Sequence, residues 1–243
     1  MKLTEIISDS FKYPGSNPEH LNTNRKRWLI FGLLMFTTLV VIPGIFVAGY
    51  ALRVTRKTIQ GDSKLPEYDE WAGMVLDGLK VIVTTIVYYF IPTILVILGA
   101  GQFYLMAYVY GVLNLTLINW LPLIIGVLLF IPVIMFYMMA LSNMAYHNRL
   151  GAAFNMGEII QRIETIGYGR FILWWVATMI VSAIFASAGS LIEMGSSIVG
   201  FFVVPILINS FITLFQARSM GLIYSEGIDA DNTQVNDTSI VNE

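Results

Sequence analysis

No Asp, Glu, Lys or Arg occurs between Lys80 and Arg149, and Glu193 alone breaks the stretch from Arg170 to Arg218. A soluble domain hydrates its surface with about 25% charged residues. Uncharged stretches this long therefore commit the chain to lipid. The 243-residue chain as a whole is 12% charged and 56% hydrophobic, which fits the same class. The expected fold is all-α: a polytopic membrane helix bundle with four to six membrane segments plus interfacial amphipathic helices.

Three function classes fall away on composition. A net charge of -2 gives no basic field for nucleic acid. The absence of Cys removes disulfides, iron–sulfur clusters, thiolate zinc sites and thiol catalysis. His20 and His147 lie too far apart in sequence to suggest a histidine metal site. No glycine-rich phosphate loop, His-Glu metal motif or nucleophile elbow is present. The expectation is a non-enzymatic protein with no cofactor and no metal, whose partners are membrane lipids and, as a further option, other copies of itself.

Three regions follow. Residues 1–27 form an N-terminal amphipathic helix and basic linker, 28–222 the membrane domain, and 223–243 a polar tail expected to be disordered. The first apolar run begins at Trp28 and is too long for a signal-peptide core, so it is read as retained. Leu3, Ile6, Ile7 and Phe11 share one helical face, as expected for a short helix lying on the membrane. A second amphipathic element covers 65–80, with Pro66 in its first turn and Glu67, Asp69 and Glu70 at its N-terminus. A third covers 152–166, with Asn155 as cap and Glu158 three residues on.

The fourteen basic residues constrain topology, because Lys and Arg near span ends collect on the cytoplasmic side. Six full spans divide them between the two sides. One arrangement keeps all of them together: 28–52 folds back as a hairpin at Pro43-Gly44, 102–118 does not cross, and four helices span. Against it, a broken helix inside lipid leaves backbone groups unpaired unless protein covers them. A single Pro-kinked span is the commoner use of proline and is the preferred reading of 28–52. Either way, 53–80, 147–170 and the C-terminus are expected on the cytoplasmic face of the cell membrane.

Gly49-Tyr50, Leu65-Pro66-Glu67-Tyr68-Asp69-Glu70-Trp71, Asp77-Gly78-Leu79-Lys80 and Ala152-Ala153-Phe154-Asn155, with Ile159, Ile160 and Tyr168, resemble an uncharacterised, mainly archaeal, multi-spanning family, domain of unknown function family 4013. The resemblance covers roughly 28–222 and implies an integral membrane protein. It implies no reaction.

Few residues could carry chemistry in lipid. Asn114, Thr116 and Asn119 are candidates for a polar cavity, though such residues more often bond across helices. Ser142, Asn143, His147, Asn148 and Arg149 gather at one span end and could join Asp77 and Lys80 in a headgroup or substrate site. Glu193, beside Gly195-Ser196-Ser197, reads as an outer turn rather than a buried acid. Two functions fit: accommodating or moving a small molecule or lipid, and shaping or scaffolding the membrane with amphipathic helices and a hairpin.

Overall fold

The computed structural model describes residues 1–14, 21–37, 41–109 and 119–241. All regular structure among them is helical: α1 (Leu3–Lys12), α2 (Leu21–Phe36), α3 (Val41–Ile59), α4 (Trp71–Tyr104), α5 (Leu121–His147), α6 (Met156–Ile166), α7 (Tyr168–Gly195), α8 (Ser197–Val203) and α9 (Ser210–Val241). A π-helical turn extends α4 over Leu105–Val109, and another joins α8 to α9 over Val204–Asn209. Among the described residues four stretches are long and apolar enough to cross a membrane: Trp71–Val109, Leu121–His147, Tyr168–Gly195 and Ser197–Ala230. The chain divides into two compact units, Met1–Ile82 with Met139–Glu243, and Val83–Met138.

The smaller unit contains no charged residue. Its parts of α4 and α5 run antiparallel. Gly99 lies against Leu123 and Gly126 against Val96, so neither position has room for a larger residue. The Thr85 and Tyr137 hydroxyls sit 2.7 Å apart, and Tyr89 packs on Phe130 and Tyr137. Ile86, Phe90, Ile91 and Leu128 are exposed, as lipid-facing side chains are. The Asn119 N–H donates to Gln102 Oε1 at 3.0 Å. The chain that passes Gln102 therefore returns beside it at Asn119, and residues 110–118 between them lie outside the described residues.

In the larger unit α7 and α9 pair antiparallel. Trp174 Nε1 donates to Ser219 Oγ at 2.7 Å, and Phe185 stacks on Phe211 with ring centres 4.5 Å apart. Against them lie α2 and α3, which settle the reading of 28–52. Along α2, Trp28 donates to Ser210, Gly32 meets the Ile206 backbone and Phe36 packs on Phe202. As α2 advances its partners recede, so it is antiparallel to α9. Along α3, Thr55 donates to the Ala217 carbonyl and Thr58 faces Gly221, so α3 runs parallel to α9. Phe31 and Tyr50 accordingly meet with ring centres 5.1 Å apart. A continuous helix would hold them about 28 Å apart at 1.5 Å per residue. The preferred single kinked span is thus corrected to a helical hairpin. Protein covers the backbone at Gly32 and Gly49, which removes part of the objection to a broken helix in lipid.

Three further expectations change. Residues 65–70 are a non-helical strap, and α4 starts at Trp71, so Pro66 does not occupy a helical turn. The helix α1 packs on the bundle through buried Ile6 and through Phe11 against Phe185 and Phe211. The tail expected to be disordered from 223 is instead part of α9, where Ile223 and Tyr224 are fully buried and Gly227 accepts a hydrogen bond from Arg162 at 2.7 Å. The Asn155 cap forms as expected, accepting from the Glu158 N–H.

Candidate functional site at the charged end of the larger unit

Every charged residue of the chain falls in the larger unit, and most of them meet near one end of its helices. The centre is Asp77 on α4, only 7% exposed. Arg53 Nε reaches it at 3.3 Å, Arg56 Nη1 at 3.2 Å and Lys80 Nζ at 3.0 Å. Both arginines come from α3, which sequence patterning places beside α4 through glycine. A side chain on Gly49 would overlap the Met74 carbonyl, and one on Gly78 would overlap the Ile45 carbonyl. The backbones of α3 and α4 therefore touch, and that approach brings the arginines onto Asp77.

The second centre joins α5, α6 and α9. Asn143, fully buried, donates to the Ala152 carbonyl at 2.9 Å and to Glu158 Oε2 at 3.2 Å, and accepts from the Tyr224 hydroxyl at 2.5 Å. His147 Nε2 lies 2.5 Å from Glu158 Oε1, and Asn155 Nδ2 donates to Oε2 at 3.0 Å. The Arg162 guanidinium covers the Tyr224 ring at 5.3 Å. Two bonds connect the centres: Arg56 Nε to the Ala145 carbonyl and Lys80 Nζ to the Asn148 carbonyl. Asn148 ends α5 with φ 52°, a left-handed value that Asn tolerates better than most residues.

Burial alone would raise the Glu158 carboxyl, but hydrogen bonds from His147 and Asn143 outweigh it and hold the group below its ordinary 4.5. A carboxyl lowered in the folded state stabilises the fold above its unfolded value, and that contribution is lost as pH falls through the lower folded value. Wild-type protein should therefore melt above Glu158→Gln at neutral pH. The gap should close on acidification below about 4.5. A gap that stays constant across that range, read by melting in detergent, would refute the assignment.

A third group holds the strap 65–70. Tyr50 donates to the Pro66 carbonyl at 3.0 Å, Tyr68 to the Arg27 carbonyl at 2.9 Å, and the two rings stack 4.7 Å apart. Tyr13 donates to the Lys64 carbonyl at 3.2 Å. Arg27 bonds the Leu65 carbonyl and pairs with Glu67 at 2.6 Å. Arg218 of α9 takes Asp9 of α1 at 2.8 Å and the Asp62 carbonyl at 2.8 Å, with its guanidinium over Tyr13.

The structure places Asp77 and Lys80 in one cluster and Asn143 and His147 in another, the two joined through the Ala145 and Asn148 carbonyls. Arg149 is exposed, and its carbonyl accepts from the Ala152 N–H. Asn119 is exposed, and its side chain accepts from the Leu121 N–H at the start of α5. Asn114 and Thr116 lie outside the described residues. Glu193 is exposed in the last turns of α7, about 35 Å along the helix from Arg170. Tyr224, Arg53, Arg56 and Arg218 were not singled out from the sequence as site residues, and Glu158 only as the partner of the Asn155 cap. Of these, Glu158 had a signal in its capping position, and Arg53 and Arg56 in their spacing on one helical face. Among the described residues no three of His, Asp and Glu converge as metal ligands.

No curated protein and no solved structure matches the chain. Residues 30–194 match the family described as Protein of unknown function (DUF4013). The matched part ends short of α8 and α9 but contains Asp77, both arginines that hold it, the whole strap and the Asn143–Glu158 cluster. It covers about two thirds of the sequence, and the chain belongs to that family.

Proposed function

We propose that this is a non-catalytic integral membrane protein that accommodates lipid at one membrane face. The observation that carries the reading is the one-sided charge. Basic side chains of α3, α4 and α9 gather on Asp77, Asp9 and the segment that leads into the strap, while residues 81–148 carry no charge at all. Such a layer matches the headgroup zone of one leaflet, with the apolar helices among the acyl chains. The positive-inside rule places that leaflet on the cytoplasmic side of the cell membrane.

Accommodation is favoured over passage through the bilayer. The polar side chains of the charged layer largely bond one another, and Glu193 is far from them. Accommodation is also favoured over membrane shaping. The helix α1 is tied down by Asp9–Arg218 instead of lying free as a wedge.

Purified protein passed through detergent exchange should retain about one or two phospholipids per chain, detected by native mass spectrometry. Protein that emerges bare, or that instead tubulates liposomes at low density, would overturn the reading. Single cysteines replacing Lys26, Ser63 or Arg149 in this Cys-free chain should all respond alike to an impermeant reagent in intact cells. Opposite labelling at Lys26 and Ser63 would break the one-sided arrangement.

A further inference from the structure

One cleft in the charged layer has walls of opposite sign. It encloses about 320 Å³ and is lined by Arg53, Arg56, Lys57 and Gln60 on one side and by Pro66, Glu67, Asp69 and Glu70 on the other. That volume falls at the small end of ligand pockets. The first wall is one face of α3, since positions 53, 56, 57 and 60 follow the helical repeat. The second wall is the strap.

Both walls are built before any ligand arrives. The strap is fixed by the Tyr50 and Tyr68 hydroxyls and by the Leu65 N–H donating to Asn24 Oδ1 at 3.2 Å. Arg53 and Arg56 are held by Asp77 from behind. A guanidinium has five N–H donors. Arg56 uses three of them on Asp77 and the Ala145 carbonyl, which leaves donors for an anion. On the acidic wall the Glu70 side chain is 76% exposed and meets Arg53 Nη2 at 3.4 Å, and the same nitrogen donates to the Glu70 carbonyl at 3.2 Å.

Three cations face three carboxylates, so the cleft has no net charge. A plain anion would satisfy the arginines and be repelled by the strap. A plain cation would meet the reverse. A molecule carrying both signs a few atoms apart satisfies both walls. The cleft also adjoins apolar surface: Trp71, directly after Glu70, and Leu76 and Leu79 along α4 are exposed. An exposed Trp beside charged residues is typical of the membrane interface.

We propose that this cleft binds a zwitterion in which a phosphodiester is joined to a primary ammonium, with the phosphate on Arg53 and Arg56 and the ammonium on Asp69 and Glu70. Its source is the headgroup of a membrane lipid, an assignment that rests on the lipid-accommodating reading above.

The test uses the full chain in nanodiscs containing phosphatidylethanolamine or phosphatidylglycerol, with bound lipid read by native mass spectrometry. Wild-type protein should prefer phosphatidylethanolamine. Asp69→Lys reverses a charge on the strap and should shift the preference toward phosphatidylglycerol by about tenfold. Gln60→Glu, on the opposite wall, should weaken both lipids. Both positions are exposed, and melting at the wild-type temperature shows that each variant is folded. Lipid retained with an unchanged preference in both variants sinks this site and leaves the general reading standing. No retained lipid sinks both. Binding of glycerophosphoethanolamine from solution, with none from the bilayer, keeps the chemistry of the cleft and overturns its lipid source.

Discussion

Replacing Asp77 with alanine should cost this protein about 3 kcal/mol or more. The side chain is 7% exposed and is shared by Arg53, Arg56 and Lys80, which are 12%, 19% and 27% exposed. Removing one member of a buried ion cluster leaves the others desolvated and unpaired, and measured losses for such changes run to about 3–5 kcal/mol. The loss should appear as a fall in Tm of roughly 10 °C in detergent. Adding Arg56→Gln to Asp77→Ala should recover part of it, because one stranded cation is removed. Lys80→Gln alone should do little, since both arginines still hold the carboxylate. An Asp77→Ala protein that melts with the wild type would show that the cluster contributes nothing to the fold.

Gly49→Val should be at least as damaging. The atoms that a side chain would strike are the Met74 carbonyl and the Gly78 N–H, which are backbone and cannot rotate away. Overpacking that side chains can absorb costs about 1–3 kcal/mol. Here α3 and α4 must separate, which also pulls Arg53 and Arg56 from Asp77. Folded protein should fail to accumulate, as judged by size-exclusion of a fluorescent fusion. Gly44→Ala provides the contrast within the same helix. Nothing lies near its added methyl, and alanine is the better helix former by about 1 kcal/mol. That variant should be neutral or slightly stabilised. Equal behaviour of the two variants would contradict the close approach of α3 and α4.

The parts of this fold that were legible in the sequence are those governed by local pattern or by charge. The absence of charge marked the lipid-facing helices. The positions of the basic residues favour a non-crossing 102–118, and the Gln102–Asn119 hydrogen bond holds the two flanks of that stretch side by side. The Asn155–Glu158 spacing announced its own cap. The hairpin is less legible: Pro43-Gly44, the fold-back expected from the sequence, lies within the first turn of α3 and not between the two arms. What decides between a kink and a fold-back is the small volume of Gly32 and Gly49, whose partners Ile206 and Met74 are remote in sequence. The strap was misread for a related reason. Pro66 and three acids are a good helix start, but tertiary hydrogen bonds from Tyr50 and Tyr68 take the backbone elsewhere. No local pattern announces Arg218 with Asp9, which are 209 residues apart. The motifs that carried the family resemblance now have physical roles: Gly49 and Gly78 for helix approach, Tyr50 and Tyr68 for the strap, and Asp77 for the cations.

The hairpin of α2 and α3 also bears on how the chain enters a bilayer. Phe36 is level with Phe202 and Thr55 with Ala217, so the hairpin reaches about 22 Å along α8 and α9, past the middle of a core about 30 Å thick. Yet both of its ends remain with the basic residues. The same holds for the pair α7 with α8 and α9, which has Arg170 and Arg218 at its two open ends. Each can insert as a closed loop of two arms whose tip alone travels to the far side. Across both tips the travelling sequence contains one ionisable acid, Glu193. Assembly of this protein thus asks the insertion machinery to move almost no charge.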